Sequence, residues 1–314
     1  MSRFKAIDLT GLKTYSIKNR SSKVDITAFS KPYDRKSKAT GLWDAIPNVL
    51  IGKDLRELVN DIVAAKRNGK PVILMMGAHV IKCGLNPLVI QLMNEGIIQC
   101  IAMNGACVIH DTETAFWGNT SEDVSSALDD GRFGMVKETP EIINNALKQG
   151  SEKDMGYGES IAWAICESEA SHSQLSILAA SHQCKIPVTV HVAIGTDITH
   201  QHENSEGATI GTLSYRDFKI FCDQISRLGN GGVLLNFGSA VILPEVFLKA
   251  LSVARNLGHD VHHFTTANFD MIRHYRPQVN VVQRPTQTGG RGFHFTGHHE
   301  IMMPLLVSGI MDNI

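Results

Sequence analysis

A repeated strand–turn–helix pattern between residues 71 and 118 limits the possible folds more than any other feature of the chain. The apolar run Val72–Met76 precedes a helical pattern over Asn86–Asn94, and a second apolar run, 97–103, precedes another amphipathic segment. Both runs lack the polar–apolar alternation of a half-exposed strand, which is typical of a parallel sheet covered by helices on each face. The segment therefore predicts two consecutive βα units of an α/β fold.

The same alternation continues through the rest of the chain. Further strands are predicted at residues 186–194, 233–237 and 261–265, with helical patterns between them and an apolar helix at 301–311. Neither an internal repeat nor a domain linker interrupts this pattern. We therefore predict a single Rossmann-like, doubly wound, mostly parallel sheet with helices on both faces, formed by residues 49–314.

Residues 1–48 do not share this pattern, because they are polar and rich in turn-forming residues. We interpret them as an N-terminal arm that wraps around the domain or around a neighbouring subunit. A disordered tail is the alternative.

Composition and charge argue against several kinds of partner and compartment. A formal net charge of -1 provides no basic field for nucleic acid or an anionic membrane. No apolar run approaches the roughly 20 residues of a transmembrane helix, and the N-terminal MSRFKAIDL lacks a signal-peptide core. The six cysteines lack CxxC spacing, so free thiols and a cytoplasmic location are expected.

Small and polar residues follow five of the predicted strands. The turns are Gly77-Ala78, Asn104-Gly105-Ala106, Gly195-Thr196-Asp197, Gly238-Ser239-Ala240 and Thr265-Thr266-Ala267. Because parallel strands end at one edge of a sheet, these turns predict a long crevice lined by backbone N–H groups, which suits a dinucleotide. The GxGxxG fingerprint is missing, so a plain α/β scaffold with the same turns is the alternative.

Histidine-rich and arginine-bearing loops suggest ligand contacts without fixing a ligand. His200 and His202 could supply two metal ligands, but no third ligand follows from spacing, and we assign no metal site from the sequence. Arg284 and Arg291 flank a Gly-rich loop that could clamp a phosphate or a carboxylate, with a flexible surface loop as the alternative. GxSxG is missing, so a hydrolase triad is unsupported.

Five motifs in order resemble the deoxyhypusine synthase family over about residues 55–310. GAHVIKCGLNPLVIQLMNEGIIQCIAMNGACVIHD resembles that family's first cofactor-binding stretch, which ends in TGAnivHD, and IPVTVHVAIGTD resembles its iPvyvPalTDg. VLLNFGSAVILPEVFLKALSVARNLG resembles its glycine triplet with the following helix, and HHFTTANFD resembles its yinTAqefDgs. FHFTGHHEIMMPLLVSGI resembles its C-terminal segment. The LOR/SDH-type ornithine cyclodeaminase family, with a similar AVHD end, is a more distant likeness.

The resemblance implies an NAD-binding fold and a homotetramer with sites at the subunit interface. Carried over by position, the residues that would line the NAD site are Gly77, Ala78, His79, Asn104, Gly105, Ala106, Asp197, Gly238, Ser239, Thr266 and Ala267.

The departures from the family concern its amine chemistry. Deoxyhypusine synthase holds an aminobutyl group as an imine on a lysine before its last strand, whereas this chain has no lysine after Lys249. The family's active histidine corresponds to Pro244, and an acidic residue that some members use near the polyamine corresponds to His110.

We therefore hypothesise an NAD-dependent enzyme of this superfamily that is not a true deoxyhypusine synthase. It would abstract a hydride from a small polar amine or alcohol that carries a carboxylate or phosphate. His110 is the predicted base and Asp111 its orienting partner, while His200, Arg291 and Glu300 are predicted substrate contacts. The alternatives are an aminobutyl transferase that uses Lys82, a non-catalytic NAD-binding protein and a metal-dependent lyase.

Overall fold

The computed structural model describes residues 7, 9–26, 29 and 46–314. The strands, in chain order, are β1 (Ser22–Asp25), β2 (Val72–Met76), β3 (Cys100–Asn104), β4 (Asn119–Glu122), β5 (Val188–His191), β6 (Val233–Phe237), β7 (Thr265–Asp270) and β8 (Arg291–Thr296). The α-helices are α1 (Leu50–Arg67), α2 (His79–Lys82), α3 (Asn86–Asn94), α4 (Gly105–Trp117), α5 (Val124–Leu128), α6 (Glu138–Glu152), α7 (Tyr157–Glu167), α8 (Ile177–Cys184), α9 (Gly207–Ser226), α10 (Ile242–Asn256), α11 (Tyr275–Pro277) and α12 (His299–Asn313). A π-helix, Gln278–Gln283, follows α11 directly.

Six of these strands form one parallel sheet in the order β5-β3-β2-β6-β7-β8. Counted along the chain within this sheet, the order is 3-2-1-4-5-6, which is that of the dinucleotide-binding doubly wound fold. The chain leaves β2 towards one side of the sheet and later returns to β6 on the other side. The carboxyl ends of β2 and β6 therefore flank the switch point, where a crevice opens.

Alternate residues of the strands pack into two cores, one on each face of the sheet. Leu74, Met103 and Phe237 point to the face covered by helices that include α1, α3, α4, α8 and α12. Ile73 and Leu234 point to the opposite face, which is covered by the second half of α9, by α10 and by the π-helix. The strands are therefore buried on both faces, which explains their continuous apolar runs and confirms the predicted fold class.

Local capping explains where α4 begins and ends. Asn104 is the N-cap, and its Oδ1 accepts a hydrogen bond from the N–H of Cys107. Gly118 follows the last turn with φ of +68°, a left-handed conformation that glycine adopts without strain. The turn after β3 is thereby fixed, and it presents the N-terminus of α4 at the crevice edge of the sheet.

The structure confirms the predicted elements Val72–Met76, Asn86–Asn94 and Val233–Phe237. The strand predicted at 261–265 is wrong, because the strand runs over Thr265–Asp270 instead. Strand β8 is absent from the predicted elements, and it begins at Arg291, the residue that ends the Gly-rich loop.

The described part of the N-terminal arm packs onto the domain. Strand β1 pairs antiparallel with β4, and Tyr15 bridges to Val136. The remaining residues of the predicted arm lie outside the described residues. Among the helices of the described ranges, none combines the length and apolar character needed to cross a bilayer.

Candidate functional site

Two glycine turns meet at the switch point of the sheet. The N–H of Gly77 donates to the carbonyl of Phe237 at 2.8 Å, and the N–H of Gly238 donates to the carbonyl of Phe269 at 3.0 Å. A Cβ added to Gly77 would lie 2.5 Å from the carbonyl oxygen of Gly238. The two turns are therefore in direct backbone contact, and only glycine fits at Gly77 without displacing its neighbour.

A group of side chains from α2 and α12 surrounds these turns. His299 is 1% exposed, and its ring lies edge-on to that of His79, with centroids 5.6 Å apart. Burial lowers the pKa of His299. Glu300 accepts a 3.5 Å hydrogen bond from the thiol of Cys83, and burial together with this carboxylate raises the pKa of Cys83 to about 11. The predicted residues His79 and Glu300, 221 positions apart in sequence, are thus brought to the same place.

A second pair of polar side chains lies at the ends of β3 and β5. His200 Nδ1 accepts hydrogen bonds from the N–H groups of Gly195 and Asp197, so a neutral ring carries its proton on Nε2. That Nε2 atom lies 3.8 Å from Asp197 Oδ2. Neither atom has a hydrogen-bond partner within the described ranges, although both side chains are only 6% exposed. The pair thus holds one unused donor and one unused acceptor, both buried.

Gly105 lies directly against this pair, and there is no room for a side chain at its position. A Cβ at Gly105 would lie 1.8 Å from Asp197 Oδ2. Burial raises the pKa of Asp197, and the neighbouring His200 opposes this shift. Asn104, Gly105 and Asp197 therefore converge at the crevice edge, as predicted from their strand-end positions.

His110 is held by a chain of hydrogen bonds that does not include Asp111. His110 Nδ1 lies 2.6 Å from Thr120 Oγ1, and the Thr120 hydroxyl donates to Glu113 Oε2. Because a carboxylate only accepts, the single Thr120 proton is used on Glu113, and Thr120 must accept from Nδ1–H of His110. This fixes the neutral tautomer in which Nε2 of His110 carries the lone pair.

The charge state of His110 follows from its surroundings. Burial lowers the pKa of His110 to about 4, Glu113 opposes the shift, and the positive charges of Lys82 and Arg20 reinforce it. A neutral imidazole at neutral pH is the form that can accept a proton. The charge of Lys82, on α2, thus acts on His110, on α4.

Asp111 holds two helices together and, contrary to the prediction, does not pair with His110. His110 contacts Thr120 instead. The carboxylate is fully buried and accepts from Asn86 Nδ2, Ser176 Oγ and the N–H groups of Ile177 and Leu178. It therefore ties α4 to the N-terminus of α8. Consecutive residues on a helix project about 100° apart, which separates Asp111 from His110.

Thr266 and Ala267 do not lie at the crevice edge. They are the second and third residues of β7, and Thr266 pairs with Leu234 in the middle of the sheet. The Thr266 hydroxyl donates to the carbonyl of Val281 in the π-helix, and Ala267 is buried in the core. Their predicted cofactor contact is therefore corrected: β7 extends five residues past its predicted end, and Asp270 is its last residue.

Arg291 is also placed away from the crevice. It is the first residue of β8, at the amino-terminal edge of the parallel sheet, and it pairs with Thr265. Its guanidinium forms ion pairs with Glu57 and Asp61 on α1. The predicted substrate contact is therefore wrong in position, since the strand separates the two edges by about 15 Å.

Ser239 closes the turn after β6. Its hydroxyl accepts from the N–H of Leu243 at the start of α10, and its carbonyl accepts from Asn236 Nδ2. Ala78, by contrast, is only partly buried at the start of α2. Of these two predicted cofactor contacts, Ala78 has the more accessible side chain.

Sequence reasoning missed a polar row across β6, β7 and β8. Asn236 Nδ2 donates to Asn268 Oδ1 at 2.6 Å, and Asn268 Nδ2 lies 3.3 Å from His294 Nδ1. The three residues are in register, and the two asparagines are fully buried. An asparagine inside each of two buried strands is unusual and could have indicated this contact. The pairing of the two residues depends on the strand register, which the sequence does not give.

A cavity of about 780 Å³ lies at the opposite, amino-terminal edge of the sheet. It is lined by turns that include Lys70, Gln99 and Asn230. This edge holds the amino ends of the strands, and doubly wound sheets bind ligands at the other edge. The cavity therefore does not contribute to the crevice.

No protein family and no curated protein sequence matches this chain. Solved structures do match it. ArgZ, an arginine dihydrolase of the ornithine–ammonia cycle in cyanobacteria, aligns with 82% of this chain and 31% of its own chain, with a TM-score of 0.50 and 16% identity. AgrE, solved in a ternary complex with ornithine and NAD+, aligns with 82% of this chain and 33% of its own, with a TM-score of 0.51 and 12% identity.

A presumed deoxyhypusine synthase from Entamoeba histolytica aligns more completely. It covers 90% of this chain and 96% of its own, with a TM-score of 0.52 and 10% identity. This chain thus spans about a third of ArgZ and AgrE and nearly the full length of the Entamoeba protein. At these identities the likeness concerns the fold, and we conclude that the chain has the α/β fold found in these proteins.

Proposed function

We propose that this protein is an NAD-dependent enzyme with a deoxyhypusine synthase-like fold that removes a hydride from a small, polar and anionic amine or alcohol. One observation carries the proposal: the glycine turns after β2 and β6 meet at the switch point of a sheet with the 3-2-1-4-5-6 order. AgrE, which has the same fold, was crystallised with ornithine and NAD+, and this supports the choice of cofactor.

The residues around the crevice fit a dinucleotide in two ways. The N-terminus of α4, a helix of 13 residues, adds positive potential where the turn of Asn104 and Gly105 reaches the edge. The donor on His200 and the acceptor on Asp197 are buried and have no partner among the described residues, so they would suit a ribose hydroxyl if binding exposes them. Bound NAD would supply the hydride acceptor. The first helix after β2 has only four residues, so we assign the diphosphate to α4 and not to α2.

His110 is the proposed general base. Its neutral tautomer places the lone pair on Nε2, and Thr120 and Glu113 hold that tautomer. Such a base takes the proton of a substrate hydroxyl or ammonium group while the hydride leaves the adjacent carbon. Lys82 adds a positive charge near His110, which suits a substrate carboxylate or phosphate.

The absence of lysine after Lys249 argues against deoxyhypusine synthase chemistry at the usual position. Lys82, whose positive charge contributes to lowering the pKa of His110, is the relocated nucleophile of a second candidate function. Under this second candidate function, spermidine would drive NADH formation, borohydride would trap an imine, and Lys82→Ala would abolish both. An unchanged rate in Lys82→Ala would exclude it.

The cofactor is tested by titrating the full chain with NAD+ and NADH, followed by calorimetry and by NADH fluorescence. We expect saturable binding at or below about 1 mM. Ala106→Asp should weaken binding at least ~10-fold because a carboxylate in the first turn of α4 repels a diphosphate at that helix N-terminus. Ala208→Asp, at an exposed position on α9, is the matched control and should leave binding unchanged. A failure of wild-type protein to bind would remove the proposal, whereas binding without turnover on amines and alcohols would favour a non-catalytic NAD-binding protein.

We also propose that the sites lie at a subunit interface of a homotetramer. Exposed apolar side chains lie in the segments that follow β6 and β7, including the start of α11, and in the first turn of α12. They are Val241, Met271, Ile272, Tyr275 and Ile301. Burial of such side chains between subunits would be favourable. Sedimentation velocity of wild type and Ile272→Asp tests this, and a monomeric wild type would contradict it.

A further inference from the structure

The turn after β2 and the start of α12 bring together three side chains that can bind a metal ion. His79 and Cys83 are four residues apart, so they project from the same face of α2 and its C-cap. Glu300, in the first turn of α12, lies opposite them. The ligand atoms of the three residues all lie within 4.8 Å of one another.

The separation of the sulfur and the carboxylate oxygen fits zinc geometry. In a tetrahedral zinc site with Zn–S of about 2.3 Å and Zn–O of about 2.1 Å, the two ligand atoms are roughly 3.6 Å apart. Cys83 Sγ and Glu300 Oε2 are 3.5 Å apart. The imidazole would have to approach by no more than about 1.5 Å to reach the roughly 3.4 Å expected between a nitrogen and an oxygen ligand.

The chemistry of the three groups selects among metal ions. A thiolate disfavours Mg²⁺ and Ca²⁺, which prefer oxygen ligands, and the mixture of thiolate, imidazole and carboxylate is typical of zinc. Three protein ligands leave a fourth position open for water or substrate, as in catalytic zinc sites. We propose that His79, Cys83 and Glu300 form a zinc site with an open coordination position at the mouth of the crevice.

The surroundings hold the ligands in place. His299 packs edge-on to His79 and is buried beside Gly238. The ring of Phe237 also lies near that of His299, with ring centroids 5.9 Å apart. A rigid backing of this kind limits the reorganisation that metal binding requires. A zinc ion here could polarise an oxygen or nitrogen atom of a substrate in the crevice, which goes beyond the proposed NAD chemistry.

The test uses the full chain, freed of metal with a chelator and then separated from the chelator. Zn²⁺ is titrated against a chromophoric competitor, and Co²⁺ is titrated separately to detect thiolate-to-metal charge transfer. We expect one zinc ion per chain, a charge-transfer band with Co²⁺ and no competition from Mg²⁺. Cys83→Ser should abolish the band and weaken zinc binding at least ~100-fold, and His79→Gln and Glu300→Gln should each weaken it at least ~10-fold.

Controls separate this site from other metal-binding groups. Cys184→Ser removes a partly buried thiol outside the cluster and should leave both titrations unchanged. Circular dichroism of the metal-free variants checks folding. If Cys83→Ser fails to fold, His79→Gln and Glu300→Gln decide the question, because both side chains are partly or fully exposed. Zinc binding that is absent from the wild type, or that persists at wild-type strength in these variants, would overturn the proposal. NAD is omitted throughout, so the outcome is independent of the cofactor proposal.

Discussion

Arg20 and Glu113 form a buried ion pair with two parallel hydrogen bonds. Nη1–Oε1 and Nη2–Oε2 are both 2.8 Å, and the side chains are 3% and 0% exposed. Glu113 also accepts from the hydroxyl groups of Thr120 and Thr139. One carboxylate of α4 thus holds the N-terminal arm, the edge strand β4 and the start of α6.

Removing Arg20 should strongly destabilise the fold. Arg20→Ala leaves the Glu113 carboxylate buried without its main partner, and the free energy of unfolding should fall by about 3–5 kcal/mol. Urea unfolding followed by circular dichroism measures the change. Arg227→Ala, which removes an exposed pair with Asp223, is the control and should change little. Adding Glu113→Gln to Arg20→Ala should recover part of the lost free energy of unfolding. A double variant that is less stable than Arg20→Ala would contradict this account.

The strands that were predicted correctly from the sequence are those that are buried on both faces. Val72–Met76 and Val233–Phe237 are apolar on both faces, so their pattern reports their position directly. Strand β7 contains Thr, Asn and Asp, and its polar side chains are acceptable only because Asn268 bonds Asn236 and faces His294 across the sheet. Those partners lie 26 and 32 residues away, and a reading of one segment cannot supply them.

The candidate site divides in the same way. Gly77 and Gly238 follow strands whose ends were predictable, Asn104 is the last residue of a third such strand, and the three residues lie at one edge of the sheet. The position of Arg291 was predicted wrongly because its segment is rich in glycine, which is typical of a loop, although Arg291 begins the edge strand β8. Asp111 was paired with His110 by adjacency in the sequence, although helix geometry turns the two side chains apart. The actual partner, Thr120, belongs to a different element, and its register with α4 is a tertiary property.

The pH dependence of turnover should identify His110 as the base. Burial lowers its pKa to about 4, so the lone pair is available above that pH, and the acid limb of kcat/KM should lie near pH 4 instead of 6.5. His110→Gln should lower kcat about 10²–10⁴-fold with whichever amine or alcohol supports NADH formation. An acid limb near 6.5, or an active His110→Gln variant, would show that another group is the base.

The Thr120 hydroxyl should matter through the tautomer of His110. In Thr120→Val the Nδ1–H of His110 has no hydroxyl to donate to, so neither neutral tautomer is favoured by that contact. We expect kcat/KM to fall at least ~10-fold and the affinity for NAD to stay within about twofold of the wild type. Thr112→Val is a matched control on α4, because the Thr112 hydroxyl is buried and lacks a hydrogen-bond partner within the described ranges. Equal losses in the two variants would mean that packing, and not the hydrogen bond, is responsible.

Asp217 should make the fold less stable as the pH rises. Burial raises its pKa to about 7, although Gly158 and Val190 donate backbone hydrogen bonds to it at 2.9 and 2.7 Å. A carboxyl group whose pKa is higher in the folded state contributes stability below its unfolded pKa near 3.9, and this contribution is lost as the pH rises through 7. The unfolding free energy of wild type relative to Asp217→Asn should therefore fall by about 2–3 kcal/mol between pH 5 and pH 8.

Guanidinium unfolding of both proteins at several pH values measures this difference. Asp223→Asn removes an exposed carboxylate from the same helix and controls for the change in net charge. A difference between wild type and Asp217→Asn that is constant with pH, or that grows as the pH rises, would be incompatible with a protonated Asp217 in the folded protein.

Gly238 and Gly96 allow backbone strain to be separated from crowding at the crevice. Their φ angles are similar, +68° and +63°, so an alanine at either position should cost about 1 kcal/mol from the left-handed conformation alone. A Cβ at Gly238 would also lie 2.5 Å from His299 Nε2, whereas a Cβ at Gly96 meets nothing within 4 Å. Gly238→Ala should therefore lower the unfolding free energy by about 1–3 kcal/mol more than Gly96→Ala.

Because His299 backs His79 and the Gly77 turn, Gly238→Ala should also weaken NAD binding, and Gly96→Ala should not. Unfolding midpoints and NAD titrations of the two variants test both parts, and equal effects would show that His299 moves aside without disturbing the crevice.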